Sequence, residues 1–325
     1  MKRFSKKQLI LFFYSFDFIL LLILVLILIP FGKSHKNSIS KTALLNPKYK
    51  NIVQKIELSF PLENSFEKEN YDFSSESLNQ ENADFCKKFV FFKTEDFWYG
   101  VLNLFPKEKS EDSKEQIFSP VIFPLESQTV QNMIEKFSLI DSVYKKADGK
   151  SSFSSYNLEE DEAMIICFYD VNGEVLSKIY FGREDSISSR ISFRTDSSDE
   201  VFEIDNSLCV YLSSSISFWA DPFVEPECLT HYSRNLAQQG LRHGKIYEIS
   251  ILPELKSDKT FTKYFENGSG ISFDVFKTEA GIVVKPKFIS GPLNSEDEKK
   301  VFSEINYFYS LSTWTYEKFE KLFDE

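Results

Sequence analysis

The sequence predicts an α+β fold: one N-terminal transmembrane helix, then an internally repeated body of antiparallel strands with a packing helix per repeat. Three observations predict it. An apolar run occupies residues 9–29. Beyond it, short apolar segments alternate with turn-forming clusters, the pattern of small strands. A strand-and-turn motif ending in FKTE occurs twice, with an offset of 184 residues; recurrence of this kind marks a repeated unit. The 325 residues are 42% hydrophobic and 27% charged. That supports two compact domains or one duplicated plan, and excludes a disordered chain or a small disulfide scaffold.

The run from Leu9 to Ile29 reads LILFFYSFDFILLLILVLILI, with 18 of 21 residues apolar. As a helix it spans about 31 Å, close to the ~30 Å of a hydrocarbon core. Pro30 and Gly32 end it. A cleavable signal has a shorter apolar region and a small-x-small site, whereas Phe31 and Lys33 follow here. The expectation is an uncleaved anchor over residues 9–31, with residues 1–8 as a cytoplasmic head. Lys2, Arg3, Lys6 and Lys7 hold that head inside. Asp17 is costly in lipid, so it either pairs with a partner helix or snorkels to the interface.

Residues 32–51 read as a polar tether. The body then divides into a first α+β repeat (52–150), a β-rich middle module (151–240) and a second α+β repeat (241–325). Segments IVQKIELSF, FVFF and WYGVLNLF read as strands of the first repeat. Val130, Met133, Ile134, Phe137 and Ile140 form one helical stripe after Ser127. AMIICFY and the residues after Asp170-Val171-Asn172-Gly173 form a hairpin. In the second repeat, KIYEISIL, residues 270–276 and residues 281–286 read as strands, and Val301, Phe302, Ile305, Phe308 and Leu311 as one last helix. FVFFKTE at residues 89–95 matches FDVFKTE at 273–279, the two helices match at an offset of 168, and IELS matches YEIS, setting Glu57 against Glu248.

The net charge is −11, and residues 1–36 carry +5, which leaves −16 for the body. So acidic a body is a poor ligand for nucleic acid. Cys86, Cys167, Cys209 and Cys228 contain no CxxC spacing. Cys167 reads as a reduced core thiol, and Cys209–Cys228 is the pair worth testing for a disulfide. Cys228, His231 and His243 lack the spacing of a closed zinc site, so no metal is assigned. No nucleotide-binding glycine motif and no nucleophile elbow occurs, so no catalytic residue and no cofactor are assigned. Trp98, Trp219 and Trp314 lie near element edges. They read as packing residues or, together with Asp17, as partner contacts.

The order of these segments, namely anchor, KIELS strand, WYGVLNLFP, FPLESQTVQNMIEKF helix, YNLEE, IICFYDVNGEVLSKIYFG hairpin and FWADP, resembles the bacterial DUF4340 family over residues 9–222 and in part over 245–316. Trp98 and Pro106, Phe123-Pro124-Leu125-Glu126, Tyr156 to Glu160 and Ala220-Asp221 carry the likeness. The resemblance implies a single-span protein of the bacterial inner membrane with its body outside the cytoplasm. It implies a non-enzymatic accessory role beside an ABC-type permease or its extracytoplasmic subunit, with membrane lipid contacted through residues 9–31. Two other readings stay open: an extracytoplasmic module binding polysaccharide or lipid-linked glycan, and a hydrolase of unrecognised site.

Overall fold

The computed structural model describes residues 39–63, 85–106, 119–185, 187–226, 228, 240–248, 257–265, 268–278 and 281–324. The fold is α+β, built on two antiparallel sheets. Ten strands form the larger: β1 (Ile39–Thr42), β2 (Lys55–Glu63), β3 (Phe85–Lys93), β4 (Trp98–Pro106), β5 (Val121–Pro124), β6 (Asp141–Asp148), β7 (Met164–Tyr169), β8 (Val175–Asp185), β9 (Arg190–Thr195) and β10 (Glu200–Asp205). Their order is β1-β6-β10-β9-β8-β7-β2-β3-β4-β5. The smaller sheet has the order β11-β15-β14-β13-β12, with β11 (Ile246–Tyr247), β12 (Lys259–Tyr264), β13 (Gly270–Thr278), β14 (Gly281–Ile289) and β15 (Phe308–Leu311).

Alternation decides the faces of the large sheet. Ile56, Leu58, Phe89, Phe91, Ile166, Phe168, Ile179 and Phe181 point to one side and are buried. Helix α1 (Ser127–Ser138) lays Val130, Met133, Ile134 and Phe137 on that side. Phe137 meets Phe168 and Phe181 with ring centroids 5.5 and 6.0 Å apart. The short helix α2 (Ile216–Trp219) brings Trp219 onto Phe91 at 4.9 Å. On the small sheet, helix α3 (Glu296–Glu304) starts at a capping box between Ser295 and Glu298. Helix α4 (Thr313–Asp324) packs Phe319 and Phe323 on Phe261 and Phe273.

One contiguous core joins the sheets. Ile122 on β5 directs its own peptide groups away from β4, and Asn306 meets them. The Ile122 N–H donates to Asn306 Oδ1 (2.7 Å) and the Asn306 N–H to the Ile122 carbonyl (3.1 Å). Asn306 Nδ2 also donates to the Pro120 carbonyl (2.9 Å). Residues 219–221 continue along the same edge: the Glu126 N–H donates to the Trp219 carbonyl (2.9 Å) and the Asp221 N–H to the Pro124 carbonyl (3.0 Å).

Several expectations are corrected here. No helix among the described residues is long and apolar enough to cross a membrane, and the expected anchor at 9–31, Asp17 included, lies outside the described residues. Part of the expected tether is built into the fold, since β1 pairs with β6 and Leu45 is buried. The repeat holds only locally. FKT lies at the end of β3 in one half and of β13 in the other, and its threonine works the same way in both. Thr94 Oγ1 donates to the Phe97 carbonyl and Thr278 Oγ1 to the Gly281 carbonyl, each at 2.9 Å. After the helix the plans part: β15 returns to pair with β14, whereas β6 pairs with β1 and β10. Glu57 sits on central strand β2, while Glu248 follows edge strand β11 and pairs with Lys87 at 2.9 Å. They occupy different places in the fold.

Candidate functional site

Strand β7 stops short of both neighbours at one end, and the mismatch opens a cleft. β2 continues past Ser59, which faces Ile165, and β8 continues past Phe181, which faces Met164. The chain feeding β7 lifts off as a turn, closed by the Ala163 N–H donating to the Glu159 carbonyl (2.8 Å). Both flanking strands are bulged there. Phe60 to Glu63 runs against Lys87 to Phe85, and Phe181 to Glu184 against Phe193 to Ile191. Each bulge adds a residue on the side bordering the cleft, bends its strand and re-aims its side chains. Pro61 occupies one bulge, where its missing N–H leaves no donor unpaired. Gly182 and Arg183 occupy the other.

The cleft holds about 390 Å³, near the small end of the ~300–1,000 Å³ of small-molecule sites. Pro61, Met164 and Phe181 line its base, the last two nearly buried at 8% and 2% exposed, and Gly182 lies beside them. Arg183, Glu162 and Asn157 stand at the rim, all three exposed. Gly182 is required by close approach: a Cβ there would lie 2.0 Å from the Tyr156 carbonyl oxygen. That contact seats the 150–163 loop on the strand. Arg194 locks the loop, its Nε donating to the Leu158 carbonyl (2.9 Å) and its guanidinium lying 3.4 Å from the Tyr180 ring and 4.5 Å from Phe153. Asn157 ends the 3-10 turn Ser154–Tyr156 in the left-handed region, φ 55°, which asparagine tolerates better than most residues. Among the described residues, neither Arg183 nor Glu162 has an ion-pair partner.

The charges on the neighbouring sheet face are, by contrast, satisfied. Glu57 lies 2.6 Å from Lys55 and 3.0 Å from Lys88, and the Tyr169 hydroxyl donates to it at 3.1 Å. Burial works against the Glu57 charge, but the hydrogen bonds from Lys55 and Lys88 prevail and hold its pKa below the usual value.

The sequence-predicted site residues fall elsewhere. Trp98 and Trp219 are 4% and 0% exposed. Trp219 Nε1 donates to the Ser213 carbonyl at 2.9 Å, so both indoles belong to the core. Trp314 is 62% exposed, with Lys318 Nζ 3.7 Å from its ring centre. His243 places Nδ1 2.8 Å from the Gly244 carbonyl and Nε2 2.7 Å from the Asp221 carbonyl. Burial holds its pKa below the ordinary histidine value, against the pull of those two carbonyls. No three-residue metal-ligating cluster occurs among the described residues, and His231 lies outside them. None of the four cysteines is in a disulfide, and Cys167 and Cys228 are buried. The cleft itself escaped the sequence reading. Its only linear signals are Gly182 at the end of an apolar strand and the YNLEE segment that supplies Asn157.

Comparison with protein-family models, with curated proteins and with solved structures finds no match. The resemblance to the DUF4340 family is therefore not supported. With no family match and no membrane-crossing helix among the described residues, the membrane-anchored accessory role is set aside. So are its lipid and ABC-type permease partners and its single-pass inner-membrane location.

Proposed function

We propose that the protein is a non-catalytic binding protein whose cleft between β2 and β8 takes a small molecule carrying an apolar group and a carboxylate. One observation carries this reading. Arg183 is a guanidinium with no ion-pair partner among the described residues, set by a bulge at the lip of a cleft lined by Pro61, Met164 and Phe181. Arginine suits a carboxylate because its planar donors match the two oxygens. Binding is favoured over catalysis because the lining assembles no nucleophile beside a base.

The test is calorimetric titration with carboxylates of differing apolar groups, aromatic and aliphatic, against wild type and Arg183→Gln. Saturable binding that weakens about tenfold or more in the variant is expected, the scale of a lost charge-assisted bond. Binding that ignores Arg183→Gln, or no saturable binding across the series, overturns the reading.

A further inference from the structure

We infer that the cleft's ligand is a zwitterion, an α-amino acid with an apolar side chain, its carboxylate on Arg183 and its ammonium on Glu162. The inference rests on the binding reading above and deepens it. The β7–β8 ladder sets Met164 against Phe181. Carried two residues further, the same register sets Glu162 against Arg183. Opposite charges facing across an antiparallel ladder stabilise each other by pairing. Here they do not pair, because the ladder is broken on both sides. Glu162 lies in the turn that lifts away from the sheet, and Arg183 lies in the bulge between Phe181 and Glu184. The fold thus separates a cation from an anion that simple strand pairing would join, and sets both on the lip of one cleft.

A ligand completing that arrangement must present a negative group to Arg183 and a positive N–H donor to Glu162. It must also set its remaining group over Pro61 and the exposed edge of Met164, above the nearly buried Phe181. A simple carboxylic acid leaves Glu162 facing its own kind of charge, and a simple amine meets Arg183. An α-amino acid satisfies both ends at once, and the 390 Å³ volume suits one such molecule rather than an extended chain. Asn157, fixed over the cleft by the Gly182 contact, adds an amide able to donate or accept.

The test compares three probes on the full chain: L-phenylalanine, 3-phenylpropionate, which lacks the ammonium, and L-phenylalaninamide, which lacks the carboxylate. Wild type, Glu162→Gln and Arg183→Gln are titrated with each. Both substitutions are at exposed positions, and matching thermal midpoints verify that the variants fold. The expectation is that L-phenylalanine binds wild type about tenfold or more tighter than either analogue, and that Glu162→Gln removes its advantage over 3-phenylpropionate. If 3-phenylpropionate binds wild type as tightly as L-phenylalanine, or the preference survives Glu162→Gln, the zwitterion inference falls while the binding reading stands. If none of the probes binds and a wider carboxylate series fails as well, or binding ignores Arg183→Gln, the binding reading falls with it.

Discussion

Replacing Asn306 by alanine tests whether the two sheets are one unit. Asn306 stands in for a strand residue at the free edge of β5, and its side chain makes two of the three bonds there. One accepts from the Ile122 N–H at 2.7 Å and the other donates to the Pro120 carbonyl at 2.9 Å. Alanine keeps only the main-chain bond to the Ile122 carbonyl. Each lost hydrogen bond is worth about 0.5–1.5 kcal/mol net, and a half-buried N–H left unpaired adds to that. The Pro120 carbonyl lies at an exposed contact and recovers water, so the sum is about 2 kcal/mol. For a chain of this size that corresponds to a fall of about 3 °C in Tm. Asn306→Asp keeps the acceptor for Ile122 but sets an oxygen against the Pro120 carbonyl, so at neutral pH it costs at least as much as alanine. Calorimetry with matched urea denaturation reads both variants. An alanine variant within about 0.5 kcal/mol of wild type, the range of an unimportant surface change, would refute the clamp.

Gly182→Ala, whose methyl would sit 2.0 Å from the Tyr156 carbonyl oxygen, lowers stability and dislodges the 150–163 loop. Proteolysis within that loop should rise, and a variant as resistant as wild type refutes the close-approach argument. His243 makes stability pH-dependent. Its folded pKa lies below the ordinary histidine value because of burial, so the unfolded chain takes up the proton first. Its contribution is present above about pH 6.5 and declines as pH falls below that, at up to ~1.4 kcal/mol per pH unit. Denaturation midpoints of wild type and His243→Gln from pH 7.5 to 5.5 should converge as pH falls, and parallel curves would exclude the effect.

What was legible in the sequence is what short-range chemistry decides. The Asp170–Gly173 turn is an example. Asp170 Oδ1 accepts from the N–H groups of Asn172 and Glu174 at 2.9 and 2.8 Å, and Gly173 supplies φ 80°; each of those roles belongs to the residue type. The stripe on α1 is legible for the same reason as far as Phe137, whereas Ile140, placed on it by spacing, lies beyond the helix end at Ser138 and is exposed. The final apolar series was misread because a strand buried on both faces follows the helix. Val301 and Phe302 bury from helix α3, which ends at Glu304. Phe308 and Leu311 belong to strand β15 and bury on its opposite faces, so a spacing of three mimicked a continued helical stripe. Asn306, in the break between them, was invisible because its partners lie 184 and 186 residues away. The recurring FKTE shows the converse. Identical letters reported the same threonine bond, to the carbonyl three residues on, and said nothing about which strand pairs next.

The Asn306 clamp and the cleft are two answers to one problem, an antiparallel ladder that stops. An interrupted ladder leaves polar groups that must find partners or water. Along β5 the chain supplies the partners itself, through Asn306 and residues 219–221, and the joint becomes core. Beyond Met164 it does the opposite. Pro61 removes a donor, Gly182 admits the loop backbone, and the bulge carries Arg183 away from its register partner Glu162. Separating opposite charges forgoes their mutual stabilisation, so on stability alone that end of β7 is worse built than the edge of β5. Local sacrifices of this kind cluster where a protein meets a ligand. Two consequences follow. Glu162→Gln and Arg183→Gln should each leave the unfolding free energy of the ligand-free protein within about 0.5 kcal/mol of wild type, as expected for charges that support no fold contact. A saturating ligand that bridges the two should raise the Tm of wild type and of neither variant to the same extent.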